Sequence, residues 1–213
     1  MNIKLEHRSN KIVIVDYGMG NISSIANMIK KTGGESMLSS DTQTILNAKK
    51  IILPGVGSFD AGIRALRDSN LDKTIIEAVG NGSIILGICL GFQLLFENSE
   101  EGTLPGLGLI KGEVKKFLNT SSLRVPHMGW NSIEPKSDSI LFNRKLEENN
   151  PLRFYFVHSY YTECHNESDI SASCIYGNKF TCAIENKNIL GVQFHPEKSH
   201  KYGIDLFKRF LNA

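Results

Sequence analysis

The sequence has few of the features that mark secreted, membrane-spanning or nucleic-acid-binding proteins. Its 213 residues include only four cysteines, with no C-x-x-C pair and no histidine cluster at zinc-ligand spacing, so neither a disulfide framework nor a metal site is expected. No apolar run approaches the roughly 20 residues of a membrane span, and the polar opening is unlike a signal peptide. The 24 basic residues balance 22 acidic ones, which gives no reason to expect nucleic acid or a membrane as partner. The cytoplasm is the expected location.

The length of the chain suits one α/β domain. A chain of this size buries roughly 70% of its unfolded surface, which is enough for a core without covalent or metal cross-links. We expect residues 1–10 to form a flexible lead-in and residues 11–213 to form a single domain.

Apolar runs alternate with amphipathic segments in the first half of the chain. Continuous apolar runs are typical of strands buried on both faces, and strands separated by helices pair in parallel through right-handed crossovers. The predicted strands are 11–16, 35–38, 50–53 and 83–88. The predicted helices are 21–32 and 42–48, more than one helix within 58–80, and 90–97.

Strand-like segments joined by polar turns fill the second half, with a hairpin connection at 185–188 and a final helix at 199–211. The fold class expected from both halves is α/β, with a doubly wound, mostly parallel sheet and added antiparallel strands. The predicted strands of this half are 113–117, 129–134, 154–163, 170–176, 180–185 and 189–194.

Cys89 lies in the sequence Gly-Ile-Cys-Leu-Gly, directly after the strand at 83–88. Glycines on both sides allow a tight elbow that lifts its central side chain above the sheet, as in the serine version of this motif. The helix predicted after it would direct N–H groups at the sulfur, which favours the nucleophilic thiolate. Cys89 is therefore the candidate nucleophile, whereas Cys164, Cys174 and Cys182 are expected to be small buried residues.

His195 is the strongest candidate for the base that a nucleophilic cysteine needs. It ends an apolar strand, and Glu197 lies two positions further on, which is the same side of a continued strand. Glu197 can then orient the imidazole, while Pro196 stiffens the connection. His127 and His158 lie in strand-like segments and are candidates for core or pocket positions.

A glycine-rich loop, Pro-Gly-Val-Gly-Ser at 54–58, follows the strand at 50–53. In a parallel sheet this loop belongs at the carboxyl edge, where Cys89 also emerges. Attack on an amide creates an oxyanion, which the amide of Leu90 and one from this loop could stabilise. The loop could equally hold a phosphate at a helix start, although it lacks the pattern of a nucleotide P-loop.

Together these segments resemble class I glutamine amidotransferases, through PGVGSF, GICLGFQLLF and GVQFHPEKS, over the chain after about residue 11. Within this class, DYGMGN, VPHMGWN at 125–131 and FYFVHSYY at 154–161 are most similar to glutaminase subunits of imidazole glycerol phosphate synthases. The resemblance implies hydrolysis of glutamine to glutamate and ammonia without a cofactor or metal. It also implies that the ammonia passes to a cyclase subunit, a (β/α)8 barrel, in histidine biosynthesis.

The resemblance also assigns roles to residues. It implies a catalytic triad of Cys89, His195 and Glu197. It implies an oxyanion hole formed by the backbone amides of Val56 and Leu90. The glutamine pocket would be lined by Gly57, Gln93, His158, Ser159 and Tyr160. The residues expected near the partner interface are Met19, Gly20, Asn21, Trp130, Tyr155 and Lys198.

Three alternative functions stay open. The segment EKSHKYG at 197–203 also resembles a paralogous group that supplies ammonia to an amidotransferase making amidino sugars for surface polysaccharide. A catalytically silent binding partner and a cysteine peptidase on a similar elbow are alternatives of other classes. The intact triad argues against the silent partner, and Gln93 with narrow glycine loops suits a free amino acid better than a peptide chain.

Overall fold

The computed structural model describes residues 9–118, 123–142 and 151–213. The predicted lead-in at 1–10 lies outside this part of the chain except for its last two residues, which open the first strand. None of the helices in the described ranges combines the length and the apolar character needed to cross a membrane.

Strands and helices alternate in the first half, as predicted. The elements are β1 (Ser9–Val15), α1 (Ile22–Lys31), β2 (Ser36–Ser39), α2 (Thr42–Leu46), β3 (Ala48–Leu53), α3 (Phe59–Asp68), α4 (Leu71–Gly80), β4 (Ile84–Ile88) and α5 (Leu90–Gln93). The second half consists of β5 (Asn98–Ser99), β6 (Gly112–Lys116), β7 (His127–Pro135), β8 (Arg153–His158), β9 (Tyr160–Cys164), β10 (Ile170–Tyr176), β11 (Asn178–Asn186), β12 (Ile189–Val192) and α6 (His200–Asn212), with 3₁₀ turns at Glu167–Asp169 and Pro196–Lys198.

Within the described ranges, the strands form one mixed sheet in the order β2-β1-β3-β4-β12-β11-β10-β7-β8. The strands from β2 to β12 are parallel, and antiparallel pairs continue from β11 to β8. A branch of β5, β6 and β9 joins the sheet at β11. The predicted hairpin at 185–188 connects β11 to β12, with Asn186 paired to Ile189. The expected α/β fold class, with parallel strands and added antiparallel ones, is confirmed.

Alternate side chains of β1 enter two hydrophobic cores. Ile12 and Ile14 pack with α1 and α6 on one face of the sheet, and Val13 and Val15 pack with α2, α3 and α4 on the other. Successive strand residues point to opposite faces, so a continuous apolar run follows from helices covering both faces.

The helix after Cys89 is shorter than the predicted 90–97, because α5 ends at Gln93. The carbonyl groups of Leu94, Leu95 and Phe96 accept hydrogen bonds from N–H groups of the loop at 107–110 instead of from a further helical turn. These three side chains are fully buried. An apolar run that is buried on all sides carries no periodicity, which is why the prediction of its conformation was wrong.

The predicted strand at 154–163 is two strands that break at Ser159. β8 pairs with β7, whereas β9 pairs with β6 and β11. The Ser159 carbonyl accepts a hydrogen bond from the Phe117 N–H at 3.1 Å. No glycine or proline marks the break, so the alternating pattern alone predicted a single strand.

The carboxyl ends of β3, β4 and β12 lie side by side. Leu53 is paired with Gly87, and Ile88 is paired with Val192. The residues that follow the three strands are therefore neighbours at one edge of the sheet, where ligands of open α/β folds bind.

Candidate active site

Cys89 stands on a sharp elbow between β4 and α5. Its φ of 54° and ψ of −108° are rare for a residue other than glycine. The flanking glycines leave room for this bend, since a Cβ on Gly91 would lie 1.9 Å from the Leu53 carbonyl oxygen and one on Gly87 would lie 2.8 Å from the Gly91 carbonyl oxygen. The elbow expected from G-x-C-x-G is present.

The local structure that joins His195 to Glu197 differs from the predicted one. β12 ends at Val192, and Glu197 lies in a 3₁₀ turn rather than on a continued strand. This turn still brings Glu197 Oε1 to 2.8 Å from His195 Nδ1. The side chains of His195 and Glu197 are 5% and 1% exposed. Because Nδ1 is bonded to Glu197, Nε2 is the ring nitrogen left for the sulfur.

Cys89 and His195 line the same cavity. Burial opposes charge on the imidazole, but the hydrogen bonds and charges of Cys89 and Glu197 outweigh it and raise the pKa of His195 to about 10. The site therefore favours the protonated form of His195, and an imidazolium next to a cysteine is a setting that activates a thiol nucleophile.

Tyr17 holds the loop at 54–58 against the elbow. Its hydroxyl donates to the Pro54 carbonyl at 2.6 Å, and a Cβ on Gly55 would lie 2.8 Å from both this hydroxyl and Leu90 Cβ. Burial and the nearby Cys89 raise the pKa of Tyr17, which keeps the hydroxyl a neutral donor. The sequence pattern assigned no role to Tyr17, because its contact with Pro54 spans 37 residues.

Val56 and Leu90, the residues predicted to supply the oxyanion hole, both line a cavity beside Cys89. Among the hydrogen bonds between described residues, none uses the N–H group of either residue. Two unengaged backbone donors next to a nucleophile are what a developing oxyanion requires. Their role in an oxyanion hole stays a prediction.

The cavity has a volume of about 340 Å³, within the range of small-molecule sites. All five residues predicted for the glutamine pocket line it: Gly57, Gln93, His158, Ser159 and Tyr160. Cys89 and His195 also line this cavity.

Glu101 is a cavity-lining residue that the sequence analysis missed. Its Oε2 accepts a hydrogen bond from the Phe59 N–H at 2.8 Å, and partial burial raises the pKa of Glu101. Its position gives the cavity a carboxylate that could bind an ammonium group. The acidic run at 97–101 was the available signal, but nothing in it singled out one member.

Gln193 is a second residue that the sequence analysis missed, and it is fully buried. Its Nε2 donates toward Cys89 Sγ at 3.9 Å, and its Oε1 accepts from Gln93 Nε2 at 3.0 Å. Gln93 Nε2 also donates to the Tyr160 carbonyl at 3.2 Å. Gln193 lies two residues before His195, the same spacing that drew attention to Glu197, and this was an unused signal.

Three residues predicted for a partner interface lie around this site. Lys198 lines the cavity, and the Tyr155 carbonyl accepts the His195 N–H at 2.9 Å. The Trp130 ring packs edge-on against Tyr155, with centroids 6.3 Å apart, and is 38% exposed. Their interface role stays a prediction.

The other three predicted interface residues follow β1. The Met19 side chain lies against Gly57, and Gly20 lies against Pro54. Asn21 directly precedes α1, and its side chain makes no capping hydrogen bond to the helix. All three are therefore near the loop at 54–58.

The four cysteines are unpaired. In the part of the chain that the structure describes, no group of three or more His, Cys, Asp or Glu side chains is arranged to hold a metal ion.

A cysteine on a strand-to-helix elbow at the carboxyl edge of the sheet, with a His–Glu pair at the same cavity, is typical of α/β proteins that attack carbonyl carbon with cysteine. Comparison with known families narrows this class: the family Glutamine amidotransferase class-I matches residues 13–213. The chain belongs to the class I glutamine amidotransferases, as the sequence motifs predicted.

Curated relatives agree with this assignment. The imidazole glycerol phosphate synthase subunits HisH 2 of Pseudomonas aeruginosa and Methanococcus maripaludis are each 46% identical, over 94% of this chain and 98% of theirs. The subunit HisH of Bdellovibrio bacteriovorus is 44% identical, over 93% of this chain and 98% of its own.

Solved structures share the fold at low identity. PurLQS from Thermotoga maritima has a TM-score of 0.73 and 21% identity, covering 95% of this chain and 97% of that one. The glutaminase domain of Trypanosoma brucei CTPS with bound acivicin has a TM-score of 0.67 and 17% identity, covering 94% of this chain and 91% of that one.

Proposed function

We propose that this chain is the glutaminase subunit of an imidazole glycerol phosphate synthase. It hydrolyses glutamine to glutamate and ammonia, and the ammonia passes to a cyclase subunit in histidine biosynthesis. The observation that carries the chemical half of this proposal is the 2.8 Å contact of His195 Nδ1 with Glu197 Oε1, at a cavity that both Cys89 and His195 line. The names of the curated relatives support the acceptor half.

In the first half-reaction, the Cys89 thiolate attacks the side-chain carbonyl carbon of glutamine. A C–S bond forms, and the electron pair displaced from the carbonyl develops on oxygen, where the amides of Val56 and Leu90 stabilise it. The tetrahedral intermediate then collapses, its C–N bond breaks, and His195 donates its Nε2 proton to the departing nitrogen. Ammonia leaves, and a thioester with Cys89 remains.

In the second half-reaction, His195 is neutral and acts as a general base. It removes a proton from water, and the resulting hydroxide attacks the thioester carbon. Collapse breaks the C–S bond, releases glutamate and restores the thiolate–imidazolium pair. Glu197 does not touch the substrate; it orients the imidazole through Nδ1 and stabilises its charge.

The polar groups of the cavity suit a free amino acid. The Glu101 carboxylate can bind the α-ammonium group of glutamine, a role that a peptide substrate, with its α-nitrogen in an amide, could not use. Tyr160 and Gly57 line the same cavity. We propose that Glu101 contributes mainly to the KM for glutamine.

We further propose that the partner is a cyclase of the (β/α)8 type, that it docks over the cavity mouth, and that residues 11–213 act as one glutaminase domain. Lys198 and Val56 line the cavity, and Val56 is 44% exposed; Tyr155 contacts His195 through its carbonyl, and Trp130 packs against Tyr155. A cytoplasmic location and a lead-in at 1–10 stay predictions.

A glutaminase assay with and without the purified cyclase and its nucleotide ligand tests the proposal. Wild type should release glutamate slowly alone and much faster in the complex, whereas Cys89→Ala should fold, bind the cyclase and release none. Cys182→Ala, which changes a buried thiol away from the cavity, serves as the matched control. Turnover by Cys89→Ala would refute the assignment of the nucleophile. Glutaminase activity that responds only to a sugar amidotransferase would instead favour the surface-polysaccharide alternative.

A further inference from the structure

Two buried histidines connect β7 and β8 beside the cavity. His127 Nδ1 lies 2.9 Å from His158 Nε2, and the other nitrogen of His158, Nδ1, lies 2.6 Å from the Tyr160 carbonyl oxygen. The Asn131 side-chain nitrogen lies 3.3 Å from His127 Nε2 and donates to the Ile175 carbonyl at 3.0 Å. All four ring nitrogens are thus within hydrogen-bond distance of a partner.

The carbonyl group of Tyr160 determines which ring nitrogens of His158 and His127 carry a proton. A carbonyl only accepts, so His158 must carry its proton on Nδ1. In a neutral ring Nε2 then accepts, which places the proton of His127 on Nδ1 and leaves its Nε2 to accept from Asn131. Burial lowers the pKa of His158 to about 3 and that of His127 to about 4, in keeping with two neutral rings.

The same carbonyl connects the two histidines to the nucleophile. It also accepts a hydrogen bond from Gln93 Nε2 at 3.2 Å, and Gln93 donates to Gln193, which donates toward Cys89 Sγ at 3.9 Å. The Tyr160 carbonyl is therefore the point where donors from β8 and from the elbow meet. A shift of this carbonyl would displace both Gln93 and Gln193 relative to Cys89.

The packing of His127 leaves its ring little freedom. It stacks on Tyr176 at 3.9 Å and on Phe156 at 4.7 Å between centroids. Its side chain does not line the cavity, unlike that of His158. The hydrogen bond to His158 is the contact that connects His127 to a cavity-lining side chain.

We propose that His127 is a positioning residue of the glutaminase site: as a neutral ring protonated on Nδ1, it fixes His158 and thereby the Tyr160 carbonyl that orders Gln93, Gln193 and Cys89. This inference rests on the proposed glutaminase function. It also defines the part played by His158, whose ring nitrogens are both engaged within the protein and are not free to bind substrate.

The tautomers can be measured without any assay of activity. Two-bond ¹H–¹⁵N spectra of histidine-labelled wild type at neutral pH should show both rings protonated on Nδ1, with signals assigned through His127 and His158 variants. Protonation of either ring on Nε2, the form favoured by free histidine, would overturn the proposal.

A matched pair of variants tests the positioning role. The amide nitrogen of Asn can replace Nδ1 of histidine, whereas that of Gln replaces Nε2. His127→Asn should keep kcat/KM for glutamine within about threefold of wild type, and His127→Gln should lower it about tenfold, the value of one hydrogen bond. Equal losses in both variants at equal melting temperatures would leave only a packing role and refute the proposal. Inactive wild type with Nδ1-protonated rings would instead refute the proposed function and leave the tautomer assignment standing.

Discussion

The surroundings of His195 raise the pKa of its imidazole and so favour the protonated form. Its pKa in the folded protein is about 10, against an ordinary value of 6.5. A raised pKa means that the folded state holds the proton more tightly than the unfolded state does. The resulting stabilisation is complete below about pH 6.5 and is lost as the pH rises through about 10.

Glu197→Gln should therefore lower the free energy of unfolding at neutral pH by roughly 3 kcal/mol, because it removes one partner of a buried ion pair. The deficit should shrink as the pH approaches about 10, where His195 loses its charge. Chemical denaturation at both pH values measures this. Glu134→Gln, which breaks an exposed pair with Lys179, is the control and should change little. A deficit that does not vary with pH would contradict the account of His195.

Tyr17→Phe should lower kcat for glutamine hydrolysis about tenfold with a small change in KM, because the lost hydrogen bond frees the Pro54 carbonyl and the loop that carries Val56. Steady-state kinetics of the complex measures this. The control is Tyr202→Phe, whose hydroxyl makes no hydrogen bond to the described residues. A change confined to KM would place the effect of Tyr17 on binding instead.

Residue types and local spacing identified Cys89, His195 and Glu197 because each follows a recognisable strand and has chemistry of its own. They could not identify Gln193, Glu101 or Tyr17. These residues act through partners 104, 42 and 37 positions away, and only folding brings such partners together.

The elbow is the element on which the site depends most. Gly91→Ala should destabilise the protein by about 3 kcal/mol or more, because its Cβ would lie 1.9 Å from the Leu53 carbonyl oxygen, which is backbone and cannot move aside. Gly80→Ala is the matched control, since its Cβ would meet nothing within 4 Å. Urea unfolding compares the two variants. Wild-type stability of Gly91→Ala would mean that the elbow is not as tight as described.

The parallel strands were predictable because burial on both faces makes each one a short, continuous apolar run. The segments at 90–97 and 154–163 were not, since tertiary contacts decide their form. Loop N–H groups at 107–110 take the carbonyls that would continue α5, and different partner strands separate β8 from β9.

At the scale of the whole molecule, the parallel half of the sheet supplies Cys89 and His195 to the cavity, and the antiparallel half supplies further lining residues from β8 and β9. Trp130 packs against Tyr155, whose carbonyl accepts the His195 N–H. Trp130→Ala should weaken binding of the cyclase about thirtyfold, as expected for a central aromatic contact. Leu38→Ala is the control, because β2 lies at the other end of the sheet and its side chain is 48% exposed. Equal affinities of the two variants for the cyclase, measured by titration calorimetry, would show that Trp130 does not contribute to the interface.

The central claim is that Cys89 is a thiolate nucleophile within reach of bound glutamine. Its most direct test is alkylation by a chloroketone analogue of glutamine, followed by peptide mass spectrometry. The account predicts a single adduct on Cys89, suppressed by excess glutamine and slowed in a His195→Ala variant. An adduct on Cys164, or none on Cys89, would contradict it.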